Sequence, residues 1–161
     1  MNLRPLCLAI SLIAALIAPL HAGGKAGDKA AVSFHLETEA TDNPKMIFPQ
    51  DVNGRTKYFR RVPEISVNDI VAFGPFPSGE GEDFGVAFKL KPNAARRLSA
   101  ISNANQGKWM AAAVNGRVVD GVIIDKQVDD GFIIIWKGIS LAEINQYDKL
   151  VPRIGAEKKK D

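Results

Sequence analysis

Two Asn-Gly pairs, Asn53-Gly54 and Asn115-Gly116, restrict the fold of this chain more than any other feature. Both residue types tolerate the positive φ values that a type I′ turn demands, and such turns match the twist of antiparallel strands. Apolar, β-prone residues flank each pair, over 46–62 in the first case and from Trp109–Val114 into 118–124 in the second. Two hairpins are predicted.

Further strands follow from a period of two. Val32, Phe34 and Leu36 alternate with Ser33, His35 and Glu37, and Phe84, Val86, Phe88 and Leu90 alternate through 84–90. Residues 109–114 are apolar on both faces, the pattern of a central strand, and 132–136 form another β-prone run.

Helix signals are fewer. Pro92 suits a first helical position, Ala94, Leu98 and Ile101 mark one apolar face, and Gly107 suits a C-terminal stop. Ser140 with Glu143 can form a capping box for a last helix that Pro152 ends. The similar run Ile65-Ser66-Val67-Asn68-Asp69-Ile70 predicts a short capped turn, with Asp69 returning the bond. Residues 73–83, rich in Gly, Pro and acidic groups, are expected to form an irregular loop. The predicted class is α+β: a mainly antiparallel sheet with two short helices packed on one side.

Composition narrows the chemistry. Residues 1–22 read as a Sec-type signal peptide, with Arg4 ahead of an apolar run from Leu6 to Leu20 and cleavage near Ala22. Leu20 at the −3 position is imperfect for that cut, so cleavage after Gly24, with Ala22 at −3, is a second site, and an uncleaved anchor is the alternative. Of the 161 residues, 139 would remain, enough for one core. Residues 23–30 then form a flexible lead-in, 31–153 a single domain and 154–161 a charged, disordered tail.

Loss of Arg4 leaves 20 Lys+Arg against 18 Asp+Glu, a net charge near +2 that does not suit a nucleic-acid binder. The one cysteine, Cys7, and His21 go with the leader, so the remaining chain has no thiol and only His35. Disulfides, cysteine nucleophiles, Cys-based zinc sites and sites with two histidines from one chain are excluded. A Ser-His-Asp triad would have to use His35, which sits among strand positions and is expected to face outward or towards a second layer.

The remaining candidates are modest. The run 79–85 has the spacing G-x-G-x-x-x-G and leads into a strand, so it cannot aim a helix N-terminus at a phosphate. Glu80, Glu82 and Asp83 form one acidic cluster, and Asp125, Asp129 and Asp130 form another. Calcium is the metal that such oxygen-rich loops would take, but neither has the spacing of an EF-hand and acidic surface loops are common, so no metal or cofactor is expected. Trp109 and Trp136 are expected in the core. Arg55, Lys57, Arg60 and Arg61 read as edge-strand protection. Phe73, Phe76 and Phe84 flank the predicted loop and are the candidate contacts for an extended peptide.

Asn105, Gly107-Lys108, Ala111, Val114 and Gly116 follow the run N-x-G-K-x-x-A-x-x-V-x-G. Val118-Val119, Ile123, Val128, Gly131, Ile135 and Gly138 continue it, Ser140 and Glu143 match a helix start, and Asp69-Ile70 precedes it. On these residues, the stretch from Val86 to about Gly155 resembles the head of the first periplasmic domain of SecD, a subunit of the bacterial protein-export machinery. Asn115 stands where that family usually has Asp, Gly121 lies near its customary proline, and Ile144 replaces a common Ala. A SecD subunit also carries several membrane spans, and no apolar run of that length follows residue 22.

The resemblance implies the head's role, contact with an unfolded or extended polypeptide outside the membrane, and leaves proton-driven pulling aside. The expected function is a non-enzymatic binding protein of the envelope, periplasmic or secreted. A structural or accessory subunit that docks onto a membrane complex or a homo-oligomer is the alternative, and a hydrolase built on surface carboxylates comes last.

Overall fold

The computed structural model describes residues 31–79 and 81–156. The expected signal peptide and lead-in lie outside the described residues, as do Glu80 and the last five residues of the expected tail. The order is β1 (Val32–Thr38), β2 (Ile47–Val52), β3 (Arg55–Arg60), β4 (Ile65–Ser66), a 3₁₀ turn (Val67–Asp69), β5 (Ile70–Pro77), β6 (Phe84–Leu90), α1 (Pro92–Ala104), β7 (Trp109–Val114), β8 (Arg117–Ile123), β9 (Phe132–Ile139) and α2 (Leu141–Leu150). It is an α+β fold of antiparallel sheets with two helices.

Both Asn-Gly turns form as expected, with φ of 54° and 73° at Asn53 and Gly54, and 51° and 80° at Asn115 and Gly116. They close the β2–β3 and β7–β8 hairpins of a larger sheet ordered β2-β3-β1-β7-β8, in which β4 pairs with β1. β7 is central, as its doubly apolar pattern predicts. A smaller sheet is ordered β5-β6-β9. Val32, Phe34 and Leu36 of β1, Val86 and Phe88 of β6, and Ile133, Ile135 and Ile139 of β9 share one core with Leu98 of α1 and Tyr147 of α2. Tyr147 lies edge-on to Phe88, with ring centroids 5.3 Å apart, and 5.7 Å from Phe73.

Ser140 caps α2: its Oγ accepts the Glu143 N–H at 3.3 Å, and the Glu143 carboxylate accepts the Ser140 N–H at 2.8 Å. At the 3₁₀ turn the Asp69 carboxylate likewise accepts the Ser66 N–H at 2.9 Å.

Three expectations change. Residues 70–77 form a strand rather than the start of a loop. Strand pairing turns alternate main-chain groups outward, and the Phe73 N–H and C=O point away from β6, bonding Pro152 O and Ile154 N at 3.1 and 2.8 Å. Alternation puts Pro75 and Pro77 at outward positions too, where a missing N–H costs the ladder nothing. The prolines that read as loop signals are compatible with an edge strand.

The basic residues of β3 are not on an edge, because β3 pairs with β2 on one side and with β1 at Glu37↔Phe59 and Thr38↔Tyr58 on the other. Lys57 there meets Glu37 at 2.5 Å. The edge is β2, and since Arg61 N bonds Met46 O, the same alternation turns Pro49 outward. Both outer edges are therefore closed by proline.

Trp136 is the third departure. It is 54% exposed rather than in the core. Along 132–136 only Ile133 and Ile135 are buried, so an all-apolar run conceals an ordinary inward-outward alternation.

Candidate functional site at the seam between the sheets

The outer strands of the two sheets that remain, β8 and β9, face one another across a seam. At one end they are stitched together by side chains. Asp120 Oδ2 accepts the Trp136 N–H at 2.7 Å and Arg117 donates to Gly138 O at 3.2 Å, while within the smaller sheet Asp83, just before β6, accepts the Gly138 N–H through Oδ2 at 2.5 Å. The fit is close enough that a Cβ on Gly138 would lie 3.1 Å from Val119 O.

Towards the other end a wedge opens. It forms a groove of about 460 Å³, with Leu98, Met110 and Val128 among its lining and Ile123, Ile134 and Trp136 along its walls. Ile123 is 51% exposed. Asp125, Lys126 and Asp130 add charge to the lining.

Main-chain geometry gives this wedge its character. Leu90 N bonds Gly131 O and Ile124 N bonds Lys108 O, so alternation along the registers turns the N–H and C=O of Ile134 and of Ile123 into the wedge. The neighbouring outward N–H groups are already taken: Phe132 by Asp130 at 2.9 Å, Trp136 by Asp120, and Gly121 by Asp120 at 2.8 Å. No main-chain hydrogen bond joins β8 to β9 among the described residues. Chemically, the wedge offers two unpaired strand edges over an apolar floor.

The three phenylalanines singled out in the sequence fall into different settings. Phe73 has no exposed surface and belongs to the core beneath the Arg153 guanidinium, which lies 5.9 Å from its ring. It offers no contact surface, which corrects the expectation for that residue. Phe84 is half-buried and packed against the core. Phe76 is half-buried and meets Trp136 edge-on, with centroids 6.0 Å apart. Phe76 thus supports the exposed tryptophan at the groove. The sequence reading did not single out Ile123, Ile134 or Trp136 as contacts; strand parity along 132–136 groups Ile134 with Trp136, but the sequence does not say which parity faces outward.

Of the acidic residues, Asp83 also accepts a hydrogen bond from Ser78, and those bonds from Ser78 and Gly138 hold its carboxyl below the usual carboxylate range. Asp130 is engaged by its own loop. Among the described residues no group of three His, Cys, Asp or Glu is placed to hold a metal ion.

No family model matches the chain, and no curated protein sequence matches it. Solved structures do. SecDF, described as a membrane component that enhances protein export, aligns with a TM-score of 0.50 and 17% identity over 72% of this chain and 58% of its own. The fold is SecD-like. SecDF in its super-membrane-facing form aligns with a TM-score of 0.51 and 18% identity, over 71% of this chain and 17% of that one. The chain therefore spans about three-fifths or less of the SecDF chains it matches. The SecD-like likeness reaches well beyond the stretch from Val86 that carries the sequence resemblance. No helix among the described residues is long and apolar enough to cross a membrane.

Proposed function

We propose that this chain is an extracytoplasmic, export-related domain that binds extended polypeptide as an added strand in the wedge between β8 and β9. One observation carries the reading: the unpaired edges at Ile123 and Ile134 face each other over an apolar groove. A polypeptide backbone is the ligand that matches two such edges, its side chains entering the groove alternately. The prolines that close β2 and β5 leave this as the edge available for addition. Trp136, held by Phe76, supplies an amphipathic contact of the type that dominates binding surfaces. Phe84 backs the same sheet. Strand addition needs no catalytic group, in keeping with a binding module, and the likeness to SecDF supports a place outside the cytoplasm.

The test is fluorescence anisotropy of a labelled, permanently unfolded protein titrated with the purified chain. Saturable binding in the micromolar range or tighter is expected. Trp136→Ala should weaken it by about tenfold or more. Ile134→Pro should abolish it, because it removes an outward N–H while leaving the ladder to β6 intact. Binding unchanged in both variants would remove the wedge as the site, and no binding by the parent chain would remove the function.

A further inference from the structure

A different face of the larger sheet holds His35, the one histidine that follows residue 22. Ser33 and His35 lie two apart on β1, on the face away from the main core, and the β2–β3 hairpin covers them. His35 is 8% exposed and edge-on to Phe48, with centroids 5.3 Å apart. Its Nδ1 lies 2.8 Å from Arg60 O. A carbonyl oxygen can only accept, so Nδ1 carries the proton and Nε2 presents its lone pair. Ser33 Oγ lies 2.8 Å from that Nε2, so the hydroxyl donates to the ring.

This is the relation of nucleophile and oriented base found in acyl-transfer sites, with a backbone carbonyl in the third place instead of a carboxylate. An open cleft of about 480 Å³ adjoins it, lined by Ser33, His35, Phe48, Gln50, Arg61 and Ala113. Gln50, whose amide already donates one hydrogen to Asp51 O at 3.2 Å, and Arg61 line the cleft, so the second amide hydrogen and the guanidinium are the donors for charge developing on a substrate oxygen.

We infer that Ser33 is a nucleophilic serine, acylated at Oγ by activated carboxylic esters that enter this cleft. Oγ attacks the ester carbonyl carbon as its proton passes to His35 Nε2. The bond from that carbon to the leaving oxygen breaks, the alcohol or phenolate departs, and the imidazolium returns its proton to the leaving group or to water. The product is an acyl-serine. With no carboxylate on Nδ1 to stabilise the imidazolium, deacylation is slow and the adduct accumulates. Burial lowers the pKa of His35, partly opposed by its bond to Arg60 O and by the charge of Glu64, so the ring is unprotonated at neutral pH and its Nε2 is free to accept a proton. Arg61 on the cleft wall is the other charged group facing it.

The test treats the full chain with p-nitrophenyl acetate at neutral pH, following phenolate release and mapping the adduct by mass spectrometry. The expected result is one burst equivalent with acetyl on Ser33, absent in Ser33→Ala, and about 100-fold slower in His35→Gln. Unfolding the chain in urea should also abolish the preference for Ser33, a control that does not depend on any variant folding. Acetyl on lysines with Ser33 unmodified would overturn the assignment. So would Ser33 acetylation equally fast in His35→Gln or in urea.

Discussion

Asp120 Oδ2 accepts the Trp136 N–H at 2.7 Å while Oδ1 of the same carboxylate accepts the Gly121 N–H at 2.8 Å. One side chain thus joins the two sheets at the point where β8 and β9 begin to diverge. The stitch sets where the wedge starts.

Asp120→Ala is expected to cost about 1 kcal/mol, the usual net value of a hydrogen bond, and Asp120→Asn less because it keeps one acceptor oxygen. Urea denaturation should show the loss as a lower midpoint with an unchanged slope. A midpoint equal to that of the parent would mean that the stitch contributes nothing to joining the sheets.

Gly85 is needed for want of space. A Cβ there would fall 2.3 Å from Phe76 Cε2 and Cζ and 2.6 Å from Trp136 O. The ring could rotate, but the backbone oxygen could not move without disturbing β9. Gly85→Ala should destabilise by about 1–3 kcal/mol and change the Trp136 fluorescence. In the double variant with Phe76→Ala the two losses should add to less than their sum.

Tyr147 is fully buried, and its hydroxyl finds no hydrogen-bond partner among the described residues. Burial, with a smaller contribution from the Glu143 charge, raises its pKa far above the ordinary tyrosine value, so it stays a neutral, unpaired hydroxyl. Tyr147→Phe should leave stability unchanged or raise it by up to about 1 kcal/mol, whereas Tyr147→Ala should cost about 3–5 kcal/mol. A thermal scan showing Tyr147→Phe clearly less stable would reveal a partner for the hydroxyl.

His35 makes stability depend on pH. Its folded pKa lies below the ordinary histidine value of 6.5, chiefly through burial, so on acidification the unfolded chain takes up the proton first. Its contribution is complete above about 6.5 and is lost as pH falls through the folded value. The melting temperature should decline in that window, and His35→Gln should flatten the decline. Asp69, Asp83 and Asp148 have lowered values, so their contributions are lost only as pH falls below 3.8. The two regimes are separable in one titration of melting temperature.

Much of this architecture can be read from residues alone, where local chemistry and tertiary environment agree. Asn53-Gly54, Asn115-Gly116 and the Ser140–Glu143 box act through their own backbone, and all three form as expected. The strand over 70–77 was hidden because Pro75 and Pro77 are compatible with a strand only when they face its free edge, and that depends on pairing partners. Trp136 was hidden for a related reason. Hydropathy does not say which parity of a wholly apolar run faces in. The wedge is a relationship between β8 and β9, joined where Asp120 and Arg117 of β8 reach Trp136 and Gly138 of β9, and neither strand alone announces it. The bond between Ser33 and His35 was accessible from their spacing, but the Arg60 carbonyl that orients the ring comes from another strand.

Pro49, Pro75 and Pro77 have a consequence for how this molecule behaves in company. A chain captured in the wedge would lie between two strands of its host, and the host's far borders would offer no place for another. Growth would end at one guest per domain. A protein that gathers unfolded chains at high local concentration could then do so without becoming the seed on which they assemble.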